Sequence, residues 1–239
     1  MRKIQFAKGH IYHIYNRGVE KRDIFLSDND RWRFLQGLFL FNDEKTVANL
    51  LFRLEKEKKA LNFKILREYL NQWKDERKAL TKIMLDCLKP NHFHLLLEEI
   101  SDGGISRFMQ KLGVGYTRYF NKKYERNGHL FQGPFQVVRV ENDDQLRYLI
   151  AYINVINPLQ EIESQTKEGR VKDVDRIMKF LENYPWSTHL EYLGKRDSVI
   201  IDKGMAGKMF SDTREYKEFI QEIILGKKNL NSIKDLMLE

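Results

Sequence analysis

The sequence predicts an α+β fold in which helices pack on one face of an antiparallel sheet. Segments rich in β-branched and aromatic residues alternate with segments whose apolar residues recur at helical spacing. The predicted elements are, in chain order, strand, helix, strand, strand, helix, strand and helix. Only the turn Lys89-Pro90-Asn91 separates the second strand from the third. Because so short a connection joins antiparallel neighbours, a strict βαβ repeat is excluded.

Four strands and three helices make up this pattern. The first helix follows the capping run 27–30, and the second has the clearest apolar face. The third is expected to end at Pro158, because proline lacks an amide hydrogen and clashes with the preceding turn. The strands are predicted at 10–16, 81–88, 92–98 and 135–140, and the later helices at 105–124 and 145–157.

Charge patterning divides the chain further. Residues 44–80 are strongly charged, with leucines recurring at helical spacing, which predicts a helical insertion. The sequence becomes polar after Pro158, so 1–160 is expected to form the main domain and 161–239 a mostly helical C-terminal extension.

Composition narrows the class of protein. Lys and Arg number 42 against 34 Asp and Glu, and the net charge of +8 favours a polyanionic partner. The single cysteine, Cys87, excludes an internal disulfide and a zinc site of four cysteines. No apolar run approaches the roughly 18–20 residues of a membrane-spanning helix, and no signal peptide is recognisable. A soluble cytoplasmic protein without a membrane partner is expected.

The positive charge is concentrated in one segment. Residues 107–139 contain seven basic side chains and one acidic side chain, Glu125, interleaved with tyrosines and phenylalanines. Phosphate-binding cations beside stacking rings are typical of single-stranded nucleic acid binding. A solvated helix face over a buried aromatic face explains part of the same pattern.

Two histidines stand two residues apart in the third predicted strand. Strand side chains alternate between faces, so His92 and His94 point the same way and Phe93 points into the core. Two imidazoles on one face can share a divalent metal ion, although two ordinary surface histidines would give the same spacing.

The last predicted helix carries Tyr148, Tyr152 and Asn157. A tyrosine beside a metal ion can act as a nucleophile, because a Lewis acid offsets the phenol's ordinary pKa near 10. Core packing is the ordinary role of a helical tyrosine and remains the alternative.

Four stretches together carry a family resemblance: HIYNRG, KPNHFHLLLE, YTRYFNKKYERNGHLFQGPFQ and YPWSTHLEYLG. They resemble the single-tyrosine transposases with a His-hydrophobic-His (HUH) motif, and in particular the REP-associated tyrosine transposases. The resemblance spans roughly residues 10–194, in the family's order. It implies a ferredoxin-like catalytic domain that cleaves single-stranded DNA, often next to a hairpin or repeat.

The resemblance also implies site residues. His92 and His94 would hold Mg²⁺ or Mn²⁺ with Asn157 as third ligand, and Tyr152 would attack the DNA to give a 5′-phosphotyrosine link, followed by strand transfer. In the family, the tyrosine precedes this asparagine by four residues, whereas Tyr152 precedes Asn157 by five. A π-bulge between them would restore their common face. Otherwise water or Asn154 completes the metal site, and Tyr148 is the fallback nucleophile.

Contacts to DNA are expected from Arg17 after the first strand, from the basic segment and from the loop 128–133. His129 and His13 could assist proton transfer, although structural or exposed roles are commoner for such histidines. The predicted DNA contacts are Arg17, Lys111, Arg118, Lys122, Lys123, Arg126, Gln132 and Arg139.

Other functions compete with an active transposase. The five-residue spacing from Tyr152 to Asn157 favours a catalytically silent protein of the same fold that binds hairpin DNA or RNA. A relaxase or replication initiator would share the chemistry but usually carries larger additional regions. A metal-dependent hydrolase of small molecules leaves the basic segment unexplained. Both a monomer and a homodimer fit the sequence.

Overall fold

A computed structural model describes residues 4–45, 63, 67–68, 77–165 and 173–226 of the protein. Within these residues, four antiparallel strands form one sheet in the order β2-β3-β1-β4. This is the strand order of a ferredoxin-like sandwich, so the predicted fold class is confirmed. The strands are β1 (Ile11–Arg17), β2 (Thr81–Lys89), β3 (His92–Glu99) and β4 (Gln136–Arg139).

Two helices, α1 (Asp28–Phe41) and α2 (Gly104–Lys123), pack on one face of the sheet. Phe34 of α1 lies 4.8 Å from Phe93 of β3, measured between ring centroids. The helices approach so closely that a Cβ at Gly115 would fall 2.3 Å from the Phe41 ring. Glycine at this position therefore permits α1 and α2 to pack closely against each other.

The opposite face of the sheet carries the tyrosine-bearing helix, so helices cover both faces and not one face as expected. Helix α3 (Asp143–Ala151) begins at Asn142, whose side chain accepts from the Gln145 amide. It continues into a π turn (Tyr152–Ile156) and then into α4 (Asn157–Gln165). The expectation that Pro158 ends the helix is wrong. Proline is tolerated in the first turn of a helix, and Pro158 lies in the first turn of α4, directly after the π turn.

The described part of the C-terminal extension packs against β2. Leu88 of β2 donates to the Trp186 carbonyl, and Asp202 donates to the Ile83 carbonyl. These bonds cover the outer edge of β2, which would otherwise expose unpaired backbone groups. The helices of this region are α5 (Val174–Asn183), α6 (His189–Tyr192), α7 (Gly204–Gly207) and α8 (Thr213–Ile224).

The predicted helical insertion at 44–80 lies largely outside the described residues. At its borders, the Glu44 amide donates to the Lys78 carbonyl, which joins the two ends of the segment. In the part of the chain that the structure describes, no helix is long and apolar enough to cross a membrane.

Candidate active site

The pairing of β1 with β3 gathers the site on the sheet face that carries α3 and the π turn. Tyr15 lies opposite His94, and Arg17 lies opposite His92. The rings of His92 and His94 are 5.0 Å apart, so the prediction that they share a face is confirmed. Phe93 points to the opposite face, into the core.

His94 is buried at the centre of this face, with 1% of its surface exposed. Its Nδ1 lies 2.9 Å from Nε2 of His13, a fully buried residue of β1. Its Nε2 is buried and makes no hydrogen bond within the described residues. His94 thus has one nitrogen bound to the protein and one available to a ligand.

Burial and neighbouring cations keep both motif histidines neutral. Burial lowers the pKa of His92 to about 3, and Lys89 and Arg17 reinforce the effect. Burial also holds the pKa of His94 well below its usual value, with His13, His92 and Lys89 adding to the shift. The neutral imidazole is the form that binds a metal ion.

Tyr152 packs directly on the histidine pair. Its ring lies edge-on to His94 at 5.6 Å and to His13 at 6.1 Å, measured between centroids. Its hydroxyl oxygen is buried. The structure therefore brings Tyr152 and His94 together, whereas Tyr148 packs 5.9 Å from Phe219 of α8.

The backbone between Tyr152 and Asn157 forms the π-bulge that would offset their five-residue spacing. The Asn157 amide donates to the Tyr152 carbonyl, five residues earlier. A bond from residue i to i+5 holds one more residue in the turn than an α-helix does. Residues five apart across such a turn are about one turn apart, as residues four apart are in an α-helix.

The two asparagines of this region have different surroundings. Asn154 accepts a hydrogen bond from the Thr188 hydroxyl at 2.7 Å and donates to the Tyr216 hydroxyl at 3.2 Å. Asn157 is fully buried, and neither atom of its amide has a hydrogen-bond partner among the described residues. The Asn154 amide is therefore occupied by protein partners. The Asn157 amide oxygen has no such partner among the described residues and could serve as a metal ligand.

The donor set fits a divalent metal ion that takes nitrogen and oxygen ligands. His94 Nε2 and the Asn157 amide are buried polar atoms without a hydrogen-bond partner in the described chain, as expected of atoms whose partner is not protein. The described His, Cys, Asp and Glu side chains contain no group of three that could hold a metal. Any metal here would therefore depend on the asparagine amide or on water.

Lys89 is a further site residue, and no motif in the sequence assigns it a role. It lies opposite His92 on β2, as Arg17 does on β1, so a cation flanks His92 on each side. Its ammonium group is 2.6 Å from Oε1 of Gln160 on α4. The hairpin around Pro90 contained the signal, because antiparallel pairing across that turn places Lys89 next to His92.

Two of the expected DNA contacts meet at one end of β1, where Arg17 Nε donates to Gln132 Oε1 at 2.5 Å. Gln132 and the exposed Arg118 also line a groove of about 870 Å³ between α2 and the loop 129–135. Phe131 and Phe135 form part of its wall. The groove combines ring surfaces with a cation, but it lies on the α2 side of the sheet, away from the histidines.

Other expected DNA contacts bind within the protein. Lys111 donates to the main-chain carbonyls that follow α1, and Lys123 forms a 2.6 Å ion pair with the buried Asp30. Arg126 donates to Asn121, and Arg139 lies 3.5 Å from Glu141. The expected DNA contact Lys122 is instead exposed to solvent, and so is His129.

The fold and this face together define a ferredoxin-like protein with a histidine–tyrosine cluster on its sheet. Residues 45–155, a little under half of the chain, match the model of the family described as IS200-like transposases. The match contains His92, His94 and Tyr152, and it confirms the resemblance to transposases.

Among solved structures, the chain is similar to that of a REP-associated tyrosine transposase bound to a REP hairpin. The two are 16% identical with a TM-score of 0.45, and the alignment covers 84% of this chain and 93% of the other. No curated protein matches the sequence.

Proposed function

We propose that the protein is a transposase that cleaves and rejoins single-stranded DNA through Tyr152. The observation that carries the proposal is the packing of the Tyr152 ring against His94, 5.6 Å away. The match to IS200-like transposases over the segment that contains both residues supports it.

In the proposed cleavage, Oη of Tyr152 attacks the scissile phosphorus and loses its proton as the new bond forms. The bond to the 3′ oxygen breaks and that oxygen takes up a proton, so the step leaves a 5′-phosphotyrosine and a free 3′-hydroxyl. Attack by another 3′-hydroxyl on the phosphotyrosine reverses these bond changes and joins the strands, so no external energy source is needed.

Each neighbour has a proposed part in this chemistry. His92, His94 and Asn157 would hold Mg²⁺ or Mn²⁺, which when bound polarises the phosphate as a Lewis acid. Arg17 and Lys89, on either side of His92, would offset the negative charge of the phosphate. Charge on the phosphate increases during attack, so fixed cations at this position favour the transition state.

The proposed substrate is single-stranded DNA next to a hairpin or repeat. The groove between α2 and the loop 129–135 presents phenylalanine rings beside Arg118 and Gln132, which suits stacked bases and a phosphate backbone. The family match and the basic character of residues 107–139 support DNA as the partner.

One observation favours a second function. The hydroxyl of Tyr152 is buried, so a phosphate reaches it only after the π turn or its surroundings move. A protein that never makes this movement would bind hairpin DNA or RNA without cleaving it.

Covalent trapping separates the two functions. The protein is incubated with Mn²⁺ and labelled single-stranded DNA from the repeats that flank its gene, then run on a denaturing gel. An active enzyme gives a shifted band that persists in Tyr148→Phe and disappears in Tyr152→Phe and His94→Ala. Tight binding with no adduct from any flanking DNA supports the silent hairpin-binding protein. Loss of the band with Tyr148→Phe alone assigns the nucleophile to Tyr148.

A further inference from the structure

His13 has no part in the chemistry proposed above, yet it forms the closest polar contact of His94. Its Nε2 lies 2.9 Å from His94 Nδ1, and both side chains are buried. The two ring planes differ by 17°, and the ring centroids are 5.1 Å apart. The distance between the centroids exceeds the distance between the two nitrogens by about two ring radii. The nitrogens therefore lie between the two ring centres, and the contact lies in the plane of both rings. Imidazole N–H groups and lone pairs lie in that plane, which makes this a hydrogen bond between rings.

The direction of this hydrogen bond follows from which nitrogen of His94 is left for a metal ion. A neutral imidazole carries one proton, and a nitrogen that coordinates a metal must carry a lone pair. His13 occupies Nδ1 of His94, so only Nε2 is open to a ligand. The proton of a metal-binding His94 is therefore on Nδ1, and Nε2 of His13 accepts it.

We infer that His13 is a positioning residue that fixes the tautomer and ring orientation of His94 so that its Nε2 faces the metal. This inference rests on the proposed metal site. A histidine ligand commonly donates its second N–H to a protein acceptor, and loss of such an acceptor typically weakens metal binding about 10–100-fold. In this chain the acceptor is another histidine on the neighbouring strand.

The register of the sheet explains how His13 reaches His94. His13 lies opposite Leu96 on β3, so His94 is its diagonal neighbour on the same face. Diagonal neighbours lie within reach of ring side chains. The Tyr152 ring lies edge-on to both histidines, so the same pair also bounds the position of the proposed nucleophile.

Nitrogen-15 NMR of the metal-free wild-type protein tests the tautomer directly, because protonated and unprotonated ring nitrogens have distinct shifts. We expect the proton of His94 on Nδ1. A His94 protonated on Nε2 would overturn the inference. This measurement needs neither a variant nor activity.

Mn²⁺ affinity, measured by titration calorimetry, tests the consequence. His13→Phe keeps a ring but removes the acceptor, and we expect it to weaken Mn²⁺ binding about 10–100-fold. His13→Gln supplies an amide oxygen and is expected to restore most of the affinity. Tyr15→Phe is the matched control, because Tyr15 also stacks on His94, at 5.9 Å, and the substitution leaves the ring in place.

The outcomes separate this inference from the proposed function. If His94→Ala binds Mn²⁺ as wild type does, the proposed metal site itself is wrong. If His94→Ala loses binding and folded His13→Phe retains it, only the role of His13 is wrong. Where His13→Phe does not fold, the NMR result on the wild type decides.

Discussion

The amide of Asn157 donates its hydrogen bond to the carbonyl oxygen of Tyr152, five residues earlier, and this bond defines the π turn. An α-helix would bond the same amide to Ile153 and rotate Tyr152 away from Asn157. The additional residue in the turn therefore compensates for the five-residue spacing. Thr188, which lies outside this helix, donates a buried hydrogen bond to Asn154 within the turn.

The first prediction concerns the buried hydrogen bond from Thr188 to Asn154 inside the π turn. Thr188→Val keeps the shape of the side chain and leaves the Asn154 oxygen without this donor. We expect the free energy of unfolding to fall by about 1–3 kcal/mol, measured by urea denaturation. The DNA adduct should decrease as well, because the turn that positions Tyr152 loses an anchor.

Thr213→Val, at an exposed position at the start of α8, is the control and should change both quantities little. Equal stability of Thr188→Val and Thr213→Val would show that this bond does not support the π turn.

The second prediction concerns the buried amide of Asn157, which has no hydrogen-bond partner in the described structure. Asn157→Leu removes two buried polar atoms, so we expect the metal-free protein to gain about 1–3 kcal/mol of stability, measured by thermal unfolding. Mn²⁺ affinity should fall in the same variant. A destabilised variant with unchanged Mn²⁺ binding would contradict the assignment of Asn157 as a ligand.

The third prediction concerns Asp86, a buried carboxyl of β2. Burial raises its pKa to about 7, and the nearby Glu191 adds to the shift while Arg196 opposes it. The folded protein therefore retains a proton that the unfolded chain releases near pH 4. The protonated Asp86 carboxyl therefore contributes its full stability to the folded protein below about pH 4. This contribution is lost as the pH rises toward 7.

Asp86→Asn removes this titration. We expect the variant to be more stable than wild type by a few kcal/mol above pH 7 and closer to it at pH 4, measured by urea denaturation across that range. Parallel pH profiles of the two proteins would contradict the raised pKa.

The fourth prediction separates DNA-binding cations from structural ones. Arg118 is exposed in the groove, whereas the Lys111 ammonium group is bound to the carbonyls that follow α1. Arg118→Gln should weaken the binding of single-stranded DNA. It should also reduce, by about one, the slope of the logarithm of the affinity against the logarithm of the salt concentration. Lys111→Gln should instead lower the free energy of unfolding by about 1–3 kcal/mol.

Fluorescence anisotropy across salt concentrations, combined with urea denaturation, measures both effects. The assignment of the two cations is wrong if Lys111→Gln changes the salt slope while Arg118→Gln leaves it unaltered.

Local signals in the sequence were sufficient for much of the fold. The alternation of side chains along a strand placed His92 and His94 on one face, and the capping run 27–30 predicted the start of α1 after Ser27. Both features depend on residues a few positions apart, which periodicity and capping rules describe directly. The helix end expected at Pro158 was wrong because the π turn ends first and leaves Pro158 in the opening turn of α4.

The sequence by itself determined the α+β class, the shared face of the two motif histidines and the concentration of basic residues in 107–139. Only the tertiary structure decided that His13 contacts His94, that Tyr152 packs on both, and that Lys111 and Lys123 bind within the protein. These contacts join segments that are far apart in the chain. Their formation depends on how the strands pair and how the helices pack, which local periodicity does not specify.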